Sequence, residues 1–395
     1  MKNSLALNLI ADVMGWDDVK TTQEYDWLRL MAAVKYDGYA DFAAGAGFIE
    51  ALVDWLRQFQ AGDRETAYRF VKKRLVFIST AEMQRVIEAF IPETVTPYLR
   101  KAVAEEHKIA PFEVWSDPVY SEAFYTRFRR CLFVGLSDGS RIDILRRSHS
   151  GLLSQEQVVP MMNVDLDKWE SLGEDLCEEL GKGAKFDDVY LIDDFTASGT
   201  TFIRIKDGKP KGKLPKFEKI VTDAREALGE KFPIADGYRL HIHHHVSTRQ
   251  ARSALIDRVK SVVPMLSSTS FDVDVVITEG LLLPNGLPLG VLDNNQSPGG
   301  SVELEAVGLQ ATSDADREII DLCEVYYDRG LFKKLEKHCR EAGLVTMCYG
   351  YGSCALPLVL EHNTPNNAVP LLWSELGDQA APRTRALFRR RDRHG

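Results

Sequence analysis

Two adjacent carboxylates, Asp193 and Asp194, stand between an apolar run and a turn of small hydroxylated residues, in the stretch VYLIDDFTASGTTF at 189–202. A strand ending at Ile192 would deliver both aspartates to the rim of a sheet. The turn Thr196-Ala197-Ser198-Gly199-Thr200-Thr201 offers successive backbone N–H groups and several hydroxyls. It also reads as the opening of a helix, whose N-terminus favours an anion. One side suits a phosphate; the paired carboxylates suit sugar hydroxyls. A ribose 5-phosphate would satisfy both halves at once.

Such a rim needs a sheet behind it. CLFVGL from Cys131, VYLI, RLHIHHHV and FDVDVVIT are short apolar, strand-like segments. Between the last three lie FEKIVTDAREALGE and TRQARSALIDRVKSVV, both with helical spacing. Strands alternating with helices predict a parallel α/β sheet covered on both faces. Ligands of such sheets bind beyond the carboxyl ends of the strands. The SDGSRID turn at 137–143, the DDFTASGTT turn and the end of HIHHHVST would therefore share one rim.

The pattern LIDDFTASGTT closely resembles the phosphoribosyl-diphosphate signature of type I phosphoribosyltransferases: an apolar strand, two acids, a few small residues, then Ser/Thr-Gly-any-Ser/Thr. The resemblance implies a Rossmann-like parallel sheet of that kind. Asp193 and Asp194 would hold the ribose 2′- and 3′-hydroxyls, and Thr196, Ala197, Ser198, Gly199, Thr200 and Thr201 the 5-phosphate. The family also requires a pyrophosphate loop after an earlier strand. Ser137, Asp138, Gly139 and Arg141 are the natural candidates, since glycine allows close approach and arginine binds phosphate oxygens bidentately. Magnesium is expected with phosphoribosyl diphosphate as donor, held through the substrate and through Asp193 and Asp194. Where purine-salvage members place an aspartate in the phosphate loop, this chain has Ala197, as in pyrimidine-type members, so the loop supplies no obvious base.

SDGSRIDILRRS, DDFTASGTT with its trailing Lys-rich loop, and GYGSCALPLVLEHNTPNNAVPLLW together resemble phosphoribosyltransferase-like proteins of bacterial conflict systems, including retron-associated ones. That resemblance spans roughly 115–375 and implies an antiviral effector or regulator. A reverse transcriptase and a small RNA or DNA are the implied partners. Three roles compete: an enzyme modifying a nucleotide, RNA or protein acceptor; a non-enzymatic sensor of phosphoribosyl diphosphate or a nucleotide; and ordinary nucleobase salvage. For the acceptor, His245 at the end of HIHHHVST is one candidate, for contact or proton transfer. His362, Asn363, Asn366 and Asn367 in HNTPNNAVPLLW are others, able to read a base edge or cap the pocket. On a strand His241, His243 and His245 would share one face and His244 the other, so a metal there would need ligands from elsewhere.

The first 115 residues read as helical. Phe48, Ile49, Leu52, Trp55, Leu56 and Phe59 form one stripe, and Ser79-Thr80-Ala81-Glu82 has capping-box form before a helix that Pro92 should stop. The expected layout is a helical module at 1–115, a core at 116–292 and a C-terminal α+β extension at 301–395, with DNNQSPGG at 293–300 as the boundary. The net charge of −9 argues against whole-protein affinity for nucleic acid. Two local basic clusters remain: KDGKPKGKLPK at 206–216, and a tail with Arg383, Arg385, Arg389, Arg390, Arg391 and Arg393. The six scattered cysteines form no CxxC pair and are expected to be small buried residues. No apolar run reaches membrane-spanning length and no signal-peptide pattern is present, which predicts a cytoplasmic protein. Walker and HExxH patterns are absent.

Overall fold

Tyr190, Leu191 and Ile192 are all buried, although successive side chains of a strand point to opposite faces. A strand covered on both faces accounts for that unbroken apolar run. The computed structural model describes residues 3–40, 42, 47–161, 164–206, 208–266, 271, 274–292, 309–327, 332–341, 346–375, 377–378, 381–382 and 384–390. The chain divides into two compact units, Met83–Pro284 and a second made of Met1–Glu82 with Asn285–Gly395. These bounds differ from the expected three modules: the helical residues after Met83 group with the sheet, and the C-terminal segment with the first 82 residues. The expected boundary DNNQSPGG lies outside the described residues, as do Arg383, Arg391 and Arg393.

In the two-segment unit, strand β1 (Val76–Ile78) pairs in parallel with Leu358–Leu360. The expected stripe forms the helix Phe48–Arg57, whose Trp55 Nε1 donates to the Leu371 carbonyl at 2.6 Å. Phe48, Phe77 and Phe388 cluster in this unit's core. The expected capping box is present, with the Ser79 amide donating to Glu82 Oε2 at 2.9 Å. Sequence distance hid this unit, because its two segments meet only through long-range packing.

The other unit holds a five-stranded, all-parallel sheet: β2 (Cys131–Gly135), β3 (Val158–Pro160), β4 (Phe186–Thr196), β7 (Ile234–Thr248) and β8 (Val276–Leu283), in the order β3-β2-β4-β7-β8. Between β4 and β7 lies a small hairpin, β5 (Arg204–Lys206) with β6 (Lys209–Lys211). This is the α/β, Rossmann-like architecture expected. On one face Leu132, Val134, Val189, Leu191, Leu240 and Ile242 share a core with the helices Leu166–Leu180, Lys213–Leu228 and Arg249–Val262. On the other face Phe90 packs against Phe133, Tyr190 and His243, and Tyr98 against His241.

Pro92 does not end its helix. The helix Thr80–Phe90 passes through a π turn, Ile91–Val95, into Thr96–His107, and the Thr96 amide reaches the Ile91 carbonyl. Proline has no N–H to give, and a one-residue widening of the turn absorbs both that missing donor and its ring. Among the described residues no helix is long and apolar enough to cross a membrane. The six cysteines are free thiols, five of them buried.

Candidate site at the carboxyl edge of the sheet

Register sets the site. Gly135 pairs with Ile192, Asp193 with His244 and Thr196 with Ser247, so β2, β4 and β7 end side by side. Cross-hydrogen bonds lock the three expected turns into one rim. Ser140 Oγ donates to the Ile192 carbonyl at 2.8 Å, His245 Nε2 donates to the Ser140 carbonyl at 2.9 Å, and Thr248 Oγ1 donates to the Ala197 carbonyl at 2.7 Å.

The turn after β2 is a short 3-10 segment, Asp138–Ser140, closed by the Ser137 amide donating to Ser140 Oγ at 3.0 Å. Gly139 has no room for a side chain, since an added Cβ would lie 2.6 Å from Asp194 Oδ2. Arg141 follows at φ 49°, a left-handed conformation that costs a non-glycine residue energy and that concentrates at functional sites.

Asp193 and Asp194 have different surroundings. Asp193 is only 4% exposed. Ser137 Oγ donates to its Oδ1 at 2.6 Å, and Lys213 Nζ forms an ion pair with its Oδ2. Burial pushes its carboxyl up; the Lys213 ammonium opposes this and the charge of Asp194 adds to it. Asp194 is half-buried against Gly139. Each oxygen of Asp193 already has a partner, and the Lys213 ammonium beside Oδ2 disfavours a second cation there. Among the described residues no group of three or more His, Cys, Asp or Glu could hold a metal ion.

The turn after β4 is tightly built. Ser198 and Thr200 share a side-chain hydrogen bond of 2.9 Å, and Arg258 Nη1 donates to the Ser198 carbonyl at 2.8 Å. Gly199 sits at φ 69° against Leu255 and Arg258, where a side chain would be both strained and crowded. Among the described residues, no acceptor takes the amide hydrogens of Ser198, Gly199 or Thr201. Successive unclaimed amides in a left-handed turn make a concavity for an anion.

The turn does not open directly into a helix as expected. The hairpin β5–β6 intervenes, and the helix Lys213–Leu228 begins only after Gly212. The chain nevertheless returns to its starting place, with the Lys213 amide donating to the Thr201 carbonyl at 3.3 Å and the Leu214 amide to Phe202 at 3.1 Å. The hairpin is thus an insertion across the first turn of a helix. Gly212 makes the re-entry possible: at φ 125°, its added Cβ would meet the Phe202 carbonyl oxygen at 2.4 Å.

Of the residues expected to meet an acceptor, His245 is fully buried and braces the Ser137–Arg141 turn through Ser140. His362, Asn363, Asn366 and Asn367 belong to the other unit. There Asn367 Nδ2 donates to the Tyr351 carbonyl at 2.7 Å, the Asn366 carbonyl accepts from the Tyr351 amide, and Asn363 closes a turn on Leu360. Sequence reasoning missed Lys213 and Arg258, and it placed Ser140 and Thr248 on the rim without giving them their bracing roles. Only Lys213 carried a signal, inside the lysine-rich stretch that reads as a solvated loop.

A parallel sheet with an acid pair and a Ser-Gly-Thr turn at its carboxyl edge has the arrangement of a phosphoribosyltransferase-like protein. The chain matches the family model PRTase-CE over residues 52–390 and belongs to that family. No curated protein and no solved structure matches it.

Proposed function

We propose that this chain binds phosphoribosyl diphosphate at the β4 rim and acts as an effector or regulator in a bacterial antiphage defence system such as a retron. The observation carrying the donor-binding half is the row of unclaimed amides at Ser198, Gly199 and Thr201, one turn beyond Asp194. A 5-phosphate fits the amides while Asp194 accepts hydrogen bonds from ribose hydroxyls. Asp193, neutralised by Lys213, buttresses the Ser137 turn, from which Arg141 would meet the diphosphate. The defence role rests on the family resemblance alone.

In transfer, the C1–diphosphate bond would break and positive charge would develop on the ribose, near the Asp194 carboxylate. The acceptor would be a nucleotide, RNA or protein nucleophile. Ala197 is buried and carries no base, and burial holds His245 below the usual imidazole range. These two features favour the second reading, a donor-sensing regulator that does not turn over. Salvage of a nucleobase is the third.

Calorimetric titration with phosphoribosyl diphosphate and magnesium tests the donor site. Asp194→Asn removes a charge-assisted hydrogen bond worth about 1.5–3 kcal/mol, hence about 10–150-fold in affinity. Equal affinity in the variant would sink the assignment. Gly139→Ala should displace the Asp194 carboxylate and weaken the same ligand by about 10–100-fold, as misplaced site groups do. Its thermal midpoint should move by no more than a few degrees, because the group displaced is a side-chain tip rather than backbone. Full affinity in Gly139→Ala would show that Asp194 does not touch the sugar.

A further inference from the structure

Lys213 sits where helix energetics would not place it. As the first residue of Lys213–Leu228, its positive charge lies at the end of the helix that favours anions. Its position is nonetheless held by the backbone, through its own amide on Thr201 and through Gly212, whose close approach to Phe202 admits no side chain. The side chain turns into the rim and is largely buried, 19% exposed, against an Asp193 side chain only 5% exposed. Two neighbouring carboxylates in a water-poor site cannot both stay ionised without a cation between or beside them. Here the chain itself supplies that cation.

We propose that Lys213 is a resident counter-cation that takes the place of a divalent metal at Asp193. The ribose-phosphate end of the site then binds without magnesium, which serves only the diphosphate. The sugar-binding part of this inference rests on the donor reading above; the metal part does not. The remaining charged and titratable groups around the position agree with it. His244, paired with Asp193 across β4 and β7, packs on Phe202 and faces both Lys213 and Asp194. An imidazole buried beside an ammonium stays neutral, so the cation that the geometry shows paired with Asp193 is Lys213.

The deciding experiment titrates the full-length protein with Mn2+ alone, followed by electron paramagnetic resonance. Wild type should take up no ion at this position. Lys213→Met should gain one Mn2+ site, abolished by adding Asp193→Asn. Uptake by wild type that Asp193→Asn removes would overturn the proposal, and so would Lys213→Met that folds yet binds no ion. Should Lys213→Met fail to fold, Lys213→Gln keeps a hydrogen-bond donor beside Asp193 without the charge, and the same outcomes decide. Calorimetry with ribose 5-phosphate in EDTA and in magnesium gives the second readout. Wild-type affinity should be equal in both, whereas Lys213→Met should lose about tenfold or more in EDTA and recover with magnesium. Magnesium dependence in wild type would overturn the proposal. If wild type binds no ribose 5-phosphate under either condition, the donor reading fails, while the Mn2+ titration still decides the role of Lys213.

Discussion

Lowering the pH from 7 to 5 should strip much of the stability from the sheet-bearing unit. His243, His244 and His245 are each at most 2% exposed. Burial holds all three imidazoles below their ordinary 6.5. His244, next to the Lys213 ammonium, is pushed down to about 3. His245 is held less firmly, since its bond to Ser140 and the Asp194 charge favour the protonated form. The groups facing His243 are Thr278, through a 3.0 Å hydrogen bond, Phe90 and the other two imidazoles. A folded-state value below the unfolded one means that the unfolded chain binds the extra protons. The stabilisation is therefore complete above 6.5 and is lost as pH falls below it. Each such proton contributes about 1.4 kcal/mol per pH unit until the folded value of its group is reached. Asp193, whose carboxyl burial pushes up, binds its proton first in the folded state and offsets part of the loss at the acidic end. Hydrogen exchange of β4 and β7 peptides at pH 7 and 5, corrected for intrinsic rates, measures it. Undiminished protection at pH 5 would contradict the expectation, and His244→Gln should remove about 1.4 kcal/mol per pH unit of the slope.

Asp188→Ala should unfold this unit at much lower denaturant without touching the candidate site. Asp188 is 1% exposed and accepts both Arg239 Nε at 2.9 Å and Arg239 Nη2 at 2.7 Å, a bidentate pair, while His241 Nε2 contacts Oδ1 at 2.8 Å. Burial alone would raise its carboxyl, but the Arg239 and His241 hydrogen bonds outweigh that and hold it below 3.8. Removing one member of a buried pair costs about 3–5 kcal/mol. Here the lower end applies, because the Arg239 side chain keeps 35% of its exposure. Asp188 lies six residues before Asp194 on β4, about 20 Å at roughly 3.3 Å per residue, so affinity for a sugar phosphate should not change. In Asp188→Asn the stability that wild type loses only as pH falls below 3.8, through the lowered folded value, should already be missing at pH 7. A shared loss of stability and affinity would mean that the two ends of β4 are coupled.

The central strands were legible because burial on both faces leaves no polar alternation, as in VYLI and CLFVGL. The turn at Ser198–Thr201 was legible because Gly199 is needed there by its backbone angle and its hydroxylated neighbours pair locally. What stayed hidden depends on return journeys of the chain. The helix at Lys213 continues a turn left eleven residues earlier, and the re-entry turns on the backbone angle of Gly212, which composition does not reveal. Pro92 misled for a related reason: its missing donor ends an α-helical ladder in isolation, but a π turn carries the chain past it. The unequal roles of Asp193 and Asp194 were also out of reach, because Ser137 and Lys213 approach from opposite sides in sequence. The pairing of β1 with Leu358–Leu360 joins segments from opposite ends of the chain, and neither segment alone signals the other.

That last pairing has a consequence for the order of synthesis. Met83–Pro284 is a continuous stretch, so everything that builds the β4 rim leaves the ribosome in one piece. The apolar faces of the first 82 residues emerge earlier but must wait for Leu358–Leu360 and Phe388 to complete their core. At about 5–20 residues per second that wait lasts roughly 15–60 s. During it the nascent chain carries a finished β4 rim together with an unfinished apolar surface, the interval in which a chaperone or a protease would meet it.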